Sequence, residues 1–161
     1  MSEGFSLFNR NRFNQEIRQF YEKYSDNWII LEHENQIKKD SCLCLKMTCS
    51  YKQFIIESYI AFSDSYRVPV LYFLPMIHTE KGSRLAKIDE LRDLLSSDTG
   101  SITIGENPFN GLIMFHVHPC LTSKFMDEII NSVLEHNYRF SLIESWLSFC
   151  PVIPVKKSIK A

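Results

Sequence analysis

The sequence has 161 residues, of which 45% are hydrophobic and 23% charged, with a formal net charge of −1. This length suits one domain over residues 1–161 with a full hydrophobic core. Lys and Arg form no stripe, which argues against nucleic acid or an anionic membrane surface as the main partner. The longest apolar run, residues 68–77, contains two prolines and is too short to span a bilayer, so we expect no stable membrane insertion.

The N-terminal half is rich in predicted strands that follow one helix. Apolar residues recur on one helical face over about residues 9–25, which predicts an amphipathic helix. A charged turn is expected at 35–41. Runs rich in β-branched and aromatic residues predict strands at 27–34, 42–49, 51–62 and 67–75, with Pro75 closing the last of them.

The C-terminal half alternates between helical and strand patterns. Leucines at helical spacing predict a helix over 83–95 with Ser83 as a possible N-cap. Further elements are expected as a strand and turn at 100–111, a strand at 112–118, a helix from near Lys124, a helix at 141–150 and a β-like tail at 152–161. Consecutive strands flanked by helices predict an α+β fold, with an antiparallel sheet between the N-terminal and C-terminal helices.

The residues His-Pro-Cys at 118–120 carry the strongest chemical signal. Pro119 cannot donate to a sheet ladder, so the strand should end there and Cys120 should emerge into a loop. Thr122 or Ser123 can then cap the next helix. A thiol just before a helix N-terminus faces free N–H groups and the positive end of the helix dipole, and both favour the thiolate.

Four readings of Cys120 compete at this point. It could be a buried structural thiol, a zinc ligand with His116 and His118, the nucleophile of a Cys-His hydrolase, or a carrier that accepts an acyl group as a thioester. Zinc is disfavoured because Cys42 and Cys44 lie two apart inside an apolar strand, where they should pack in the core. No signal peptide is visible at the N-terminus, so we expect a cytoplasmic protein with free thiols and no cofactor.

Four stretches resemble a known family. They are the sequences FSDSYRVPVLYF at 62–73, FHVHPCLT at 115–122, KFMDEIINSV after it, and LIESWLSFCPVIPV at 142–155. Strand, His-Pro-Cys and helix in this order resemble the ubiquitin-carrier-like conjugating enzymes of autophagy, and within them the autophagy-related protein ten family. The resemblance implies a ubiquitin-carrier fold with an N-terminal helix, an antiparallel sheet, an active-site loop and C-terminal helices.

The resemblance also implies a reaction and its partners. The activating enzyme, autophagy-related protein seven, would load a ubiquitin-like modifier, autophagy-related protein twelve, onto Cys120. The chain would then transfer it to a lysine of the acceptor, autophagy-related protein five, and be recruited to autophagosome assembly sites. The resemblance assigns the catalytic role to Cys120 and places His118 and Pro119 in its motif. A related carrier with a lipid acceptor has a large disordered insertion, which this sequence lacks.

One feature departs from ordinary ubiquitin carriers. They have a His-Pro-Asn several residues before the cysteine, whereas here Cys120 follows His-Pro directly. The donor for the oxyanion of a tetrahedral intermediate must therefore come from elsewhere. The candidates are His118, Tyr59, Tyr66, Asn107 and Asn110. The competing class of function is a binding module that keeps the carrier fold without catalysis.

Overall fold

In a computed structural model, the chain is described over residues 8–34, 41–96, 101–120, 122–123, 126–128, 131 and 141–159. The elements are α1 (Arg10–Tyr24), β1 (Ile29–Glu34), β2 (Ser41–Tyr51), β3 (Phe54–Ser63), β4 (Val68–Thr79), β5 (Gly82–Leu85), a 3₁₀ helix (Ile88–Asp93), β6 (Ile102–Glu106), β7 (Ile113–Val117), α2 (Leu142–Leu147) and α3 (Ile153–Lys157). The described residues between 120 and 131 are also α-helical.

The seven strands of the described residues belong to one antiparallel sheet in the order β1-β2-β3-β4-β7-β6, and β5 extends it by pairing with the end of β4. This confirms the predicted α+β class with helices at both ends of the chain. The position of β7 matters most, because it brings the strand before Cys120 beside the centre of β4.

Helix α1 covers the apolar face of the sheet. The Asn9 side chain accepts a hydrogen bond from the Arg12 N–H and caps the helix N-terminus. Phe13, Ile17 and Phe20 lie one turn apart on the inner face and are almost fully buried. The predicted helix at 9–25 is therefore confirmed within a residue at each end.

Pro75 does not close β4, contrary to the prediction. Residue 75 pairs with Ile56 of β3, and its carbonyl accepts a hydrogen bond from the Ala86 N–H on the opposite side. The backbone nitrogen and carbonyl of one strand residue point to the same side. The missing N–H of Pro75 therefore faces away from β3, between the stretches of β4 that pair with β7 and β5, and the β3 ladder loses no bond.

The helix predicted over 83–95 is only partly present. Its first residues form β5, which pairs with β4 in a hairpin, and the helix that follows is 3₁₀. The prediction that Ser83 is an N-cap is wrong, since its hydroxyl lies 3.1 Å from His78 Nδ1 within the hairpin. Gly82 has a φ of 117°, which glycine accepts readily and which allows the tight turn into β5.

The tail predicted to be β-like is helical. Val152 forms an isolated bridge with Leu95, and α3 follows directly. Pro154 lies in the first turn of α3, where a missing N–H costs no hydrogen bond. The turn predicted at 35–41 lies outside the described residues except for Ser41, which already belongs to β2. No helix within the described ranges is both long and apolar enough to cross a membrane.

Candidate active site

Cys120 lies on the first turn of a helix, immediately after the end of β7. The His118 N–H donates to the Ser101 carbonyl at 2.9 Å, which holds the chain beside β6 for one residue beyond β7. Pro119 is buried and Cys120 is exposed. The Ser123 N–H donates to the Pro119 carbonyl at 3.1 Å, which closes the first helical turn. The thiol therefore leaves the sheet at the point where the sequence predicts.

The helix begins earlier than predicted, so neither Thr122 nor Ser123 is its N-cap. Both residues are already helical. The Cys120 N–H donates to Nδ1 of the His118 ring at 3.2 Å. An N-terminal amide of a helix has no partner within the helix, and here the histidine ring supplies one in place of a serine or threonine hydroxyl. This bond requires an unprotonated Nδ1, so the neutral ring carries its proton on Nε2.

The other four cysteines occupy different surroundings. Burial raises the pKa of Cys44 to about 12 and that of Cys150 to about 12. Burial also raises the pKa of the half-buried Cys49, and Cys42 is buried. All five cysteines are described, and Cys120 is the one that is exposed. A thiol that must react with large protein partners has to be accessible, so Cys120 is the candidate nucleophile.

Tyr66 lies beside the thiol-bearing turn. Its ring meets the ring of His118 edge to face, with centroids 5.9 Å apart at 76°. The β3–β4 turn holds it there: the Tyr66 N–H donates to Ser63 Oγ, and the Arg67 N–H donates to the Ser63 carbonyl at 2.7 Å. Arg67 takes a positive φ of 56°, a left-handed conformation that completes this turn. The structure thus brings Tyr66, His118 and Cys120 together.

Tyr59 lies in a different group of contacts. Its hydroxyl donates to Glu57, and its ring is buried under the Lys46 ammonium, 5.6 Å from the ring centroid. Burial, followed by the hydrogen bond to Glu57, raises the pKa of Tyr59. Tyr59 pairs with Tyr72 across the sheet, and Tyr72 pairs with His116 on β7. It therefore lies one strand further than Tyr72 from the strand that leads to Cys120.

The two candidate asparagines shape the β6–β7 turn. Asn107 is fully buried and accepts a hydrogen bond from the Phe109 N–H. Asn110 accepts one from the Leu112 N–H. These side chains replace backbone partners within the turn, which is a common role of asparagine in loops.

Two residues that contact His116 have no counterpart in the sequence predictions. Tyr72 stacks on the His116 ring with centroids 5.3 Å apart, and Thr103 Oγ1 lies 3.3 Å from His116 Nε2. The His116 and His118 rings are nearly parallel, 6.2 Å apart. Within the described part of the chain, no three His, Cys, Asp or Glu residues form a group that could hold a metal ion. Strand alternation indicates the shared face of the two histidines, but the pairing of β7 with β4 has no local sequence signal.

Comparison with known proteins agrees with this arrangement. Residues 14–159 match the family described as autophagocytosis associated protein, active-site domain. The human ubiquitin-like-conjugating enzyme ATG10 is 29% identical to this chain over 130 residues. That alignment covers 76% of this chain and 59% of the human protein, so the chain spans about three fifths of that relative. By the match over most of its length, the chain belongs to the family of autophagocytosis associated proteins that carry the active-site domain.

Proposed function

We propose that this chain is a conjugating enzyme that carries a ubiquitin-like modifier as a thioester on Cys120 and transfers it to a lysine. The observation that carries the proposal is the position of the thiol. Cys120 is exposed on the first turn of a helix, and the buried Pro119 between it and β7 separates it from the sheet. The resemblance of the His-Pro-Cys stretch and the conjugating activity in the human relative's name support the same reaction.

The proposed reaction has two acyl-transfer steps. The Cys120 thiolate attacks the carbonyl of the modifier's C-terminal thioester on the activating enzyme, and the activating enzyme's thiolate leaves. The acceptor lysine amine then attacks the new thioester, its proton passes to solvent, and the Cys120 thiolate leaves as the isopeptide bond forms. Both steps need a sulfur that attacks and departs easily, and neither needs a strong base beside it.

Cys120 lies on the first turn of a helix. The first turn of a helix presents N–H groups whose partial positive charge stabilises a nearby anion. The His118 ring accepts the Cys120 N–H through Nδ1. Tyr66, which meets the His118 ring, has an exposed ring and a hydroxyl that can donate to a developing oxyanion.

The partners belong to the proposal as well. The resemblance points to autophagy-related proteins seven, twelve and five as activating enzyme, modifier and acceptor. The same pathway places the reaction in the cytoplasm at sites of autophagosome assembly. An exposed thiol suits protein substrates, which approach as surfaces.

The test is a loading assay with the full chain, the activating enzyme, the modifier and ATP. On a non-reducing gel we expect an adduct heavier by the mass of the modifier, which disappears on addition of a thiol reductant. The Cys120→Ala variant should form none. The Cys120→Ser variant should form an oxyester that survives the reductant but is cleaved by hydroxide, because an alkoxide is a poorer leaving group than a thiolate.

The matched control is Cys49→Ser, since Cys49 is the next most accessible thiol of the chain. This variant should load at the wild-type rate. A reductant-sensitive adduct that persists in Cys120→Ala would overturn the assignment of the nucleophile. The absence of any adduct in the wild-type chain would favour a binding module that has the carrier fold without its chemistry.

A further inference from the structure

Three rings form a stack that leads from the sheet to the thiol. Tyr72 on β4 lies opposite His116 on β7 in the strand pairing, and their rings stack at 30° with centroids 5.3 Å apart. His118 lies two residues further along the chain, so its side chain points to the same face as that of His116. The two histidine rings are nearly parallel, at 28°. The last ring of the stack accepts the Cys120 N–H.

The His116 ring is held from two further sides. Thr103 on the neighbouring strand β6 places its hydroxyl 3.3 Å from His116 Nε2. Gly105, two residues further on β6, leaves the space that the ring occupies: a Cβ on Gly105 would lie 2.7 Å from His116 Cε1. A contact this short would force the ring to move. The His116 ring is therefore held by the Tyr72 ring and the Thr103 hydroxyl, in a space that exists because Gly105 has no side chain.

The surroundings of His116 favour its neutral form. Its Nδ1 is buried and has no hydrogen-bond partner, so a protonated ring would bury an N–H without an acceptor. The titratable groups that face it are the Tyr72 hydroxyl from β4 and the His118 ring beyond β7. Burial, followed by the adjacent His118, lowers the pKa of His116.

We infer that, within the thioester chemistry proposed above, His116 is a positioning residue: its ring holds His118 in the orientation that accepts the Cys120 N–H. His116 makes no described contact with the sulfur and acts only through His118. If its support is removed, the His118 ring can rotate, the Cys120 amide loses its acceptor, and the first helical turn shifts with the thiol. A shift of about 1 Å at a reacting group can cost on the order of a hundredfold in rate.

The kinetic test compares two variants of the same residue. His116→Phe keeps a flat ring on Tyr72, whereas His116→Ala removes the ring. After loading is complete and ATP is removed, the rate of discharge from the Cys120 thioester to acceptor lysine is measured. We expect His116→Ala to slow discharge about tenfold and His116→Phe to stay within about threefold of wild type, since the ring and not its nitrogens supports His118.

A second variant reaches the same ring from another strand. Gly105→Ala introduces the Cβ that His116 leaves no room for. It should slow discharge in the same direction as His116→Ala, although residue 105 is on β6 and remote in sequence from the thiol. Equal discharge rates in wild type, His116→Ala and Gly105→Ala would overturn the inference.

A spectroscopic readout separates positioning from general stability. In ¹⁵N spectra of the folded, unloaded chain, His118 should show an unprotonated Nδ1 and a protonated Nε2. His116→Ala should shift this ring toward a mixture of tautomers, while His116→Phe should keep the wild-type pattern. A lower melting temperature in His116→Ala with an unchanged His118 spectrum and unchanged discharge would mean that His116 is only structural, which overturns the inference.

The ¹⁵N spectrum also separates a failure of the positioning role of His116 from a failure of the proposed function on which that role rests. If the wild-type chain forms no thioester but the His118 tautomer depends on residue 116, the proposed function fails and the positioning contact stands. If the wild-type chain loads and discharges normally and neither variant changes His118 or the rate, the inference fails and the proposed function stands.

Discussion

Polar groups form hydrogen bonds between distant parts of the chain in one region of the molecule and few such bonds in another. The second of these regions is the end of β7, and the first joins the end of α1 and Trp28 to α2 and the residues after α3. The region rich in such bonds, which we call the terminal clamp, consists of Tyr24, Trp28, Glu144, Ser158 and Ile159. The Tyr24 hydroxyl lies 2.5 Å from Glu144 Oε1 and 2.9 Å from the Ile159 carbonyl. The Trp28 indole donates to Ser158 Oγ at 3.1 Å. These bonds tie buried aromatic rings to distant parts of the chain.

The end of β7 contains few such bonds. His118 accepts one backbone N–H, His116 leaves Nδ1 unpaired, and Cys120 is outside the core. Buried and paired groups add to the free energy of unfolding, whereas an exposed thiol contributes little to it. We therefore expect substitutions at the end of β7 to change the reactivity of the Cys120 thiol. Substitutions in the terminal clamp should instead change the free energy of unfolding.

The largest expected contrast is in thiol labelling. Cys150, between α2 and α3, has a pKa raised by burial to about 12. At about pH 8 its thiolate fraction is on the order of 10⁻⁴, and the reagent cannot reach it in the folded chain. Iodoacetamide should therefore modify Cys120 long before Cys150, as read by intact mass and peptide mapping. In Cys120→Ala, the buried Cys44 and Cys150 should remain unlabelled until denaturant is added.

Equal labelling rates at Cys120 and Cys150 in the native chain would contradict the contrast. Cys44 provides an internal comparison, because its thiol is fully buried on β2 and its pKa is also raised to about 12. It should behave like Cys150.

The second prediction concerns alkaline unfolding. Burial raises the pKa values of Cys44 and Cys150 in the folded chain from the ordinary 9.0 to about 12, so the folded state holds these protons more tightly than the unfolded state. Their stabilising contribution is complete below about pH 9 and is lost as the pH rises toward about 12. A pKa that rises from 9.0 to about 12 on folding corresponds to about 4 kcal/mol in the free energy of unfolding for each thiol, as an upper limit.

Urea titrations at a series of pH values from neutral to strongly alkaline measure this loss as a falling free energy of unfolding. Cys150→Ala should flatten the alkaline slope, since the titrating group is gone. An alkaline slope that Cys150→Ala leaves unchanged would show that this thiol does not contribute.

Features set by neighbouring residues could be predicted from the sequence. The spacing of Phe13, Ile17 and Phe20 indicates α1, and alternating apolar residues indicate most strands. Pro119, which has no N–H to donate to a sheet ladder, lies just past the end of β7, and Cys120 after it is exposed. These features need no knowledge of which strand lies beside which.

Features set by distant partners could not be predicted. Pro75 is tolerated because the neighbour of β4 changes at that point, from β7 to β5. Tyr72 stacks on His116 because β7 pairs with β4 as well as with β6, the strand before it. The early helix start at Cys120 depends on a ring that no capping rule considers. Each of these features depends on a contact that the sequence near either residue does not indicate.

The smallest effect is expected for Ser158→Ala in the terminal clamp. The Ser158 hydroxyl accepts the Trp28 indole N–H and donates to the Val155 carbonyl at 2.6 Å. Trp28 is fully buried, so the variant leaves a donor without a partner, at a cost of about 1–3 kcal/mol in the free energy of unfolding. Ser148→Ala is the matched control, because the exposed Ser148 hydroxyl also donates to a carbonyl three residues earlier, that of Ser145.

Denaturant titration should show a loss in Ser158→Ala and almost none in Ser148→Ala. Iodoacetamide labelling of Cys120 in the same two variants, under conditions where both are folded, should proceed at the wild-type rate. The terminal clamp stabilises the fold without contacting the thiol, so its loss lowers the fraction of folded molecules and not the reactivity of each. A Ser158→Ala chain that is fully folded but labels Cys120 at a changed rate would show that the two regions are coupled and not independent.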